Sequence, residues 1–236
     1  MNSRAAAVLG VSIAIGLLGL GALLGRSAIR FREYERTVTV KGLSEREYPA
    51  DVVLWPIQFT AADNDQTALY GRVEADSATI KAFLLEHGID ASEISVAPPA
   101  VTDRLAQQYG GDARVPFRYA ALQTITVYSP HVDRVRAVMK EVVALGRSGI
   151  TLAGESYGNQ TQYLFERLNE VKPGMIEEAT RNARSVAEKF AADSDSRLGK
   201  IRQANQGQFS ISDRDANTPH IKRVRIVSTI EYYLSD

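Results

Sequence analysis

The chain has 236 residues, 44% hydrophobic and 24% charged, which suits one globular domain of moderate size plus a smaller extra segment. Lysine plus arginine and aspartate plus glutamate stand at 28 each, so no basic excess points to a nucleic-acid partner. Cysteine is absent, which excludes disulfides, cysteine-bound zinc, iron–sulfur clusters and a thiol nucleophile.

From Ala5 to Leu24 there is no charge, and Ser12 is the only polar side chain. About twenty apolar residues at 1.5 Å rise span roughly 30 Å, the thickness of bilayer hydrocarbon. A signal-peptide core is shorter and ends at a small-x-small cleavage site, whereas here Arg26 follows almost at once. Residues 1–30 therefore read as a retained single-span anchor that meets lipid through residues 5–24, and residues 31–36 as a charged linker. Gly10, Ala14, Gly21 and Gly25 fall on one helical face, and Gly21 and Gly25 form a Gly-x-x-x-Gly pair that lets helices approach closely in lipid. Arg26, Arg30 and Arg32 follow the span, against Arg4 and the amino terminus before it. Read literally, the positive-inside rule places the remaining domain in the cytoplasm.

Residues 37–236 read as one folded domain. "TVTVKGL" (Thr37–Leu43) alternates as a strand, and a turn-rich "SEREYPAD" follows. Val52–Ala61 is β-branched and aromatic, a second strand, in which Pro56 predicts an edge position or a bulge. Asp63 or Asp65 caps a helix to about Glu86, with Leu69, Val73, Ile80, Phe83 and Leu84 on its apolar face. Ile94–Asp103 is a strand interrupted by prolines, and Phe117–Ser129 a long strand. Ser129 and Pro130 predict a helix start that runs to Gly146. The cleanest helix spans about Pro173–Ala192, with Ile176, Ala179, Ala183, Val186, Ala187 and Phe190 as its apolar stripe. Two strands close the chain. Strand–helix–strand–loop–strand describes both Val52–Ser129 and Thr161–Ser235, so the reading is an α+β domain of two similar halves, with helices on a largely antiparallel sheet.

Three segments together resemble the SIMPL-domain family. "VKGLSEREYPADVVLWPIQFT" is similar to the family's opening, "HGIDASEISV" to its helix-to-strand link, and "EEATRNARSVAEKFAADSDSRLGKIRQANQ" to its Ala-Arg-x-x-Ala helix followed by Leu-Gly-x-Ile. The motif positions are Gly42, Pro49, Asp51, Ala183, Arg184, Ala187 and Gly199. The resemblance implies export, which places the folded domain in the periplasm against the literal charge reading. The family includes an oxidative-stress-defence protein and a periplasmic immunogenic protein that assembles into large rings. It has no established catalytic residues, so none are implied here.

The residues themselves spell out no reaction. His87, His131 and His220 lie in no metal-binding pattern and read as structural. Pro49-Ala50-Asp51 reads as a turn. Glu155-Ser156-Tyr157-Gly158 lacks the setting of a nucleophile elbow. Lys222, Arg223 and Arg225 are candidate contacts for an anionic partner, although Arg223 and Arg225 opposite Val224 and Ile226 also describe an ordinary half-exposed strand. No P-loop, dinucleotide fingerprint or zinc spacing occurs, so no cofactor and no metal is expected. The functional expectation is a non-enzymatic, membrane-anchored envelope protein that self-assembles into a homo-oligomeric ring, linked to stress defence. The alternative is an envelope hydrolase or a monomeric ligand-binding module using the loops 104–116 and 212–219.

Overall fold

A computed structural model describes residues 12–25, 36–106, 116–154 and 158–235. In chain order the elements are α1 (residues 12–25), β1 (Thr37–Pro49), β2 (Val52–Asp63), α2 (Gln66–Glu86), a 3₁₀ turn (Ala91–Glu93), β3 (Ile94–Val96), β4 (Ala100–Asp103), β5 (Tyr119–Ser129), α3 (Val132–Glu141), α4 (Val143–Arg147), β6 (Thr151–Leu152), β7 (Gln162–Leu164), α5 (Leu168–Asp193), β8 (Arg197–Gln206), β9 (Ser210–Asp213) and β10 (Ile221–Ser235). Their contacts form two compact units. One comprises Met1–Arg46, Glu170–Ser210 and Val224–Asp236, the other Glu47–Asn169 and Ile211–Arg223. Strand pairings around β2, β5 and β8 are antiparallel, so the class is α+β as expected, with two sheets rather than one.

The described part of α1, fourteen residues, reaches about 21 Å at 1.5 Å per residue. Among the described residues no helix is long and apolar enough to cross a membrane. The expected span opens at Ala5, and residues 1–11, with Gly10, lie outside the described residues. Every residue of α1 is exposed, including Ile13, Ile15, Leu17, Leu18, Leu20, Leu23 and Leu24.

In the first unit the sheet runs β1-β10-β8, and α5 packs on it. Met175, Ala179, Ala183, Ala187 and Ala191 are the buried residues of α5. They recur every fourth residue, a row one side chain wide. Ala183 and Ala187 meet Val40 of β1 and Ile230 and Tyr232 of β10. The broader stripe expected from the sequence is corrected at Val186 and Phe190, which are exposed. A narrow row is enough because the helix lies so close. A Cβ on Gly42 would stand 1.8 Å from the Ala179 carbonyl oxygen and 2.5 Å from the Ala183 nitrogen. Polar groups extend the seam. Asn182 Nδ2 donates to the Leu43 carbonyl at 2.8 Å, the Ser44 hydroxyl to Glu178 Oε2 at 2.9 Å, and Arg46 pairs with Glu178 at 2.7 Å. These contacts keep "SEREYP" in β1, where the sequence suggested a turn.

On the other side of β10, the register of β8 slips twice. Glu231 pairs with Gln203, Tyr232 with Ile201 and Leu234 with Leu198, so β8 carries extra residues at each step, as β-bulges do. Gly199 sits in the second bulge, where a Cβ would come 2.9 Å from the Tyr233 carbonyl oxygen.

In the second unit the sheet runs β3-β5-β2-β6, with β4 on β5 and β7 on β2. Val53, Trp55, Ile57 and Phe59 of β2 and Ile125 and Val127 of β5 form its core with α2 and α3. β2 is central, which corrects the edge expected from Pro56. β7 pairs with Val52–Leu54 and β6 with Phe59 and Thr60, and Pro56 falls in the gap between them. A residue without an N–H is tolerated where that flank has no partner strand. Asp65 caps α2, its carboxylate accepting the Ala68 N–H at 2.8 Å. His131, not Ser129, is the N-cap of α3, and the expected single helix breaks at Val142 into α3 and α4. β7, the expected opening of the second half, pairs with β2. The strand flanking β10 opposite β8 is β1.

Gly42→Ala is expected to cost at least about 3 kcal/mol in denaturant unfolding, because the methyl group meets backbone that cannot move alone. Gly174→Ala, where a Cβ meets nothing within 4 Å, should instead gain up to about 1 kcal/mol. The Glu178 carboxyl is held below its usual 4.5 by the Ser44 hydroxyl and then Arg46. A depressed carboxyl contributes stability above its unfolded value and loses it as pH falls through the folded one. The melting-temperature gap between the natural chain and Glu178→Gln should therefore be widest near neutrality and close below about pH 4.

Candidate functional site

Asp51 is more than a local turn residue. Its carboxylate accepts the backbone N–H groups of Glu166 at 2.8 Å and Arg167 at 3.1 Å, and pairs with the Arg167 guanidinium. The Asp51 N–H donates to the Leu164 carbonyl and the Ala50 N–H to the His220 carbonyl, both at 2.8 Å. Beside this clamp, the Tyr48 and Phe165 rings stack at 5.3 Å. Pro49-Ala50-Asp51 thus anchors the segment leaving β7, a structural task.

The basic trio is already paired within the chain. Lys222 is buried and bonds Asp213, Arg223 lies 3.8 Å from Glu47, and Arg225 lies 3.8 Å from Glu45. Sequence parity gave Arg223 and Arg225 their exposed face correctly, but Lys222 shares the buried face with Val224 and Ile226. Arg184 makes a surface pair with Glu188 at 3.1 Å. His87 closes α2, its Nδ1 2.8 Å from the Phe83 carbonyl oxygen. His220 packs edge-on to Tyr163 at 6.0 Å, and burial pushes its imidazole below its usual range. In the loop 212–219, Asp215 Oδ1 accepts the N–H groups of Asn217 at 2.8 Å and Thr218 at 2.9 Å. The Thr218 hydroxyl and Arg214 hold its carboxyl at about 2. That loop is closed on itself by its own aspartate. Of the loop 104–116, residues 107–115 lie outside the described residues, as do Glu155, Ser156 and Tyr157.

Two of the concave regions of the second unit lie beside α2. One, of about 530 Å³, contains Arg72, Asp76, Arg104 and Phe117. Burial raises the Asp76 carboxyl while Arg72 lowers it. The other, of about 720 Å³, runs along α2. Leu69, Val73, Ile80, Phe83 and Leu84 point α2 into the core. Tyr70, Glu74, Ala78, Lys81, Ala82 and Leu85 line the groove, and Pro99 lies opposite. Gln123 also lines it, on the core face of β5 between Ala121 and Ile125 and only 7% exposed. Gln123 Nε2 donates to the Ala97 carbonyl at 2.8 Å, just before Pro98 and Pro99 interrupt the edge. With no N–H from either proline, the side chain supplies a donor there. Gln123 Oε1 is buried and has no partner among the described residues.

Asp90, Glu93 and His131 each place a ligand atom within 4.8 Å of the others. Glu93 is already engaged, accepting the Ser129 hydroxyl at 2.9 Å and the Asp90 N–H at 3.2 Å. These bonds tie the 3₁₀ turn to the end of β5 and account for the cluster without an ion.

The sequence profile of SIMPL, described as Protein of unknown function (DUF541), matches residues 38–225. The chain belongs to the SIMPL family. No curated protein matches it. Within this SIMPL chain the motif positions Gly42, Asp51, Ala183, Ala187 and Gly199 each have a packing or clamping role. Sequence reading missed Gln123, although one signal was available: a glutamine at a core-facing position of an alternating strand. Glu178 and Asn182 were also missed, because their partners lie more than 130 residues away.

Asp51→Ala should leave two amides and a guanidinium without their acceptor and destabilise the chain by about 2–3 kcal/mol, while Arg184→Ala changes stability by less than about 0.5 kcal/mol. Urea unfolding of both variants measures the contrast.

Proposed function

We propose that this SIMPL protein is a non-catalytic envelope component, held at the cytoplasmic membrane by its N-terminal helix. Its folded domain faces the periplasm and assembles into a homo-oligomeric ring that serves envelope or oxidative stress defence. The observation that carries the reading is α1, a helix whose large apolar side chains are all exposed. Leaving such a surface in water costs about 25 cal/mol per Å², and a bilayer removes that cost. The uncharged run that begins at Ala5 supplies the length a span requires.

Self-assembly is supported by Gly21 and Gly25, where an added Cβ would meet nothing within 4 Å, so another helix can come close. Confinement to one membrane raises the effective concentration of neighbouring domains, and weak contacts then suffice. The periplasmic orientation rests on the export that family membership implies, and it outweighs the arginines that follow the span.

The particle mass of the full chain extracted in mild detergent, measured by light scattering across a concentration range, should be a fixed multiple of the 25.9 kDa protomer. Monomer throughout would end the ring reading. Gly21→Leu with Gly25→Leu should lower the particle mass, and deletion of residues 1–30 should release the domain from the membrane fraction. Protease added to spheroplasts should cut the domain; cutting only in inverted vesicles would reverse the orientation.

A further inference from the structure

The groove along α2 has a physical imbalance that the fold does not resolve. On most core-facing positions of β5 the chain places small or aliphatic residues, Ala121, Ile125 and Val127. At Gln123 it places an amide instead. Half of that amide is accounted for: Nε2 satisfies the Ala97 carbonyl at the proline break, which also fixes which way the amide points. The other half, Oε1, is a buried acceptor without a donor among the described residues. An unmet buried acceptor weakens a fold, and most buried polar atoms of native proteins have a partner. Gln123 lines the groove of about 720 Å³ along α2.

The groove itself is suited to an apolar body. Ala78 and Ala82 leave room between Tyr70, Leu85 and Pro99, and the volume of about 720 Å³ lies within the usual range for small-molecule sites. Glu74 and Lys81 stand at its rim, two helical turns apart, and neither has an ion-pair partner among the described residues. One carboxylate and one ammonium leave the rim without net charge, which favours a neutral occupant over an anion or a cation.

We infer that this groove is a binding site for a small neutral molecule with an aromatic or branched apolar body and one N–H or O–H group, which donates to Gln123 Oε1. Oε1 has almost no accessible surface in the free chain. The bond therefore forms as the ligand seats between α2 and the Pro98–Pro99 break and parts the groove walls slightly. The donor group sets the selectivity, because a site with a buried acceptor rejects an otherwise similar molecule that cannot donate.

The test uses the full chain in lipid nanodiscs and two nearly isosteric probes, indole and 1-methylindole, followed by ligand-observed saturation-transfer NMR. Indole should bind saturably with a Kd on the order of 1 mM, as expected for so small a ligand. 1-Methylindole, which lacks the N–H, should bind at least about tenfold more weakly. Ala82→Phe, an exposed position on the groove wall, should abolish the indole signal with the melting temperature retained. Gln123→Leu should remove the preference for indole over its methylated form. If Gln123→Leu does not fold, the two-probe comparison on the natural chain still decides. Equal binding of both probes, no saturable indole binding, or indole binding that survives Ala82→Phe would each overturn the inference. So would indole binding that appears only on dilution, alongside a falling sedimentation coefficient, because a second copy would then be filling the groove.

Discussion

The first unit depends on one approach of backbone to backbone. α5 lies on β1 at Gly42, where even a methyl group would collide with the Ala179 carbonyl and the Ala183 nitrogen. That distance dictates the alanine row of α5, since nothing larger fits between helix and sheet at Ala179, Ala183 and Ala187. It also brings main-chain groups of β1 within reach of helix side chains, so Asn182 and Glu178 can hold Leu43 and Ser44. Alanine buries little area, so the stability of the seam comes from dense contact and satisfied polar groups more than from the transfer of large apolar surface.

The second unit is built in the opposite manner. Phe59, Leu69, Ile80, Leu84 and Ile125 fill its interior with large side chains, and α2 stands off the sheet by their width. That wider spacing leaves a groove where the edge is broken by Pro98 and Pro99, and it leaves space for a glutamine on the core face of β5. The same prolines that interrupt the edge strand call for an amide to cap Ala97, so groove and unpaired acceptor share one cause.

Local signals in the sequence were readable where the local physics decides. The Asp65 cap, the apolar face of α2, the proline-split strand at Ile94–Asp103 and the burial of Ala183 and Ala187 all follow from spacing and propensity. Features set by distant partners were not readable. Pro56 sits in a central strand because β6 and β7 are too short to meet there. Asp51 bonds amides 115 and 116 residues away, which no turn rule contains. Lys222 follows the same strand parity as Val224 and Ile226, and its ammonium is tolerated on that buried face because Asp213 receives it. Phe190 is outside because the helix is too close to the sheet for a ring to fit along the seam.

The order of strands also governs when each part of the molecule can exist during synthesis. β10, the middle strand between β1 and β8, begins at Ile221, long after β1 ends at Pro49. At about 5–20 residues per second, β1 waits at least several seconds for the strand that pairs with it. The sheet around β2 and β5, by contrast, is complete by Leu164. The helix–sheet unit around Gly42 therefore closes on a nascent chain only after the sheet around β2 and β5 is complete. A premature stop only a few residues into β10 would leave β1 and β8 as unpaired edges, prone to join other chains.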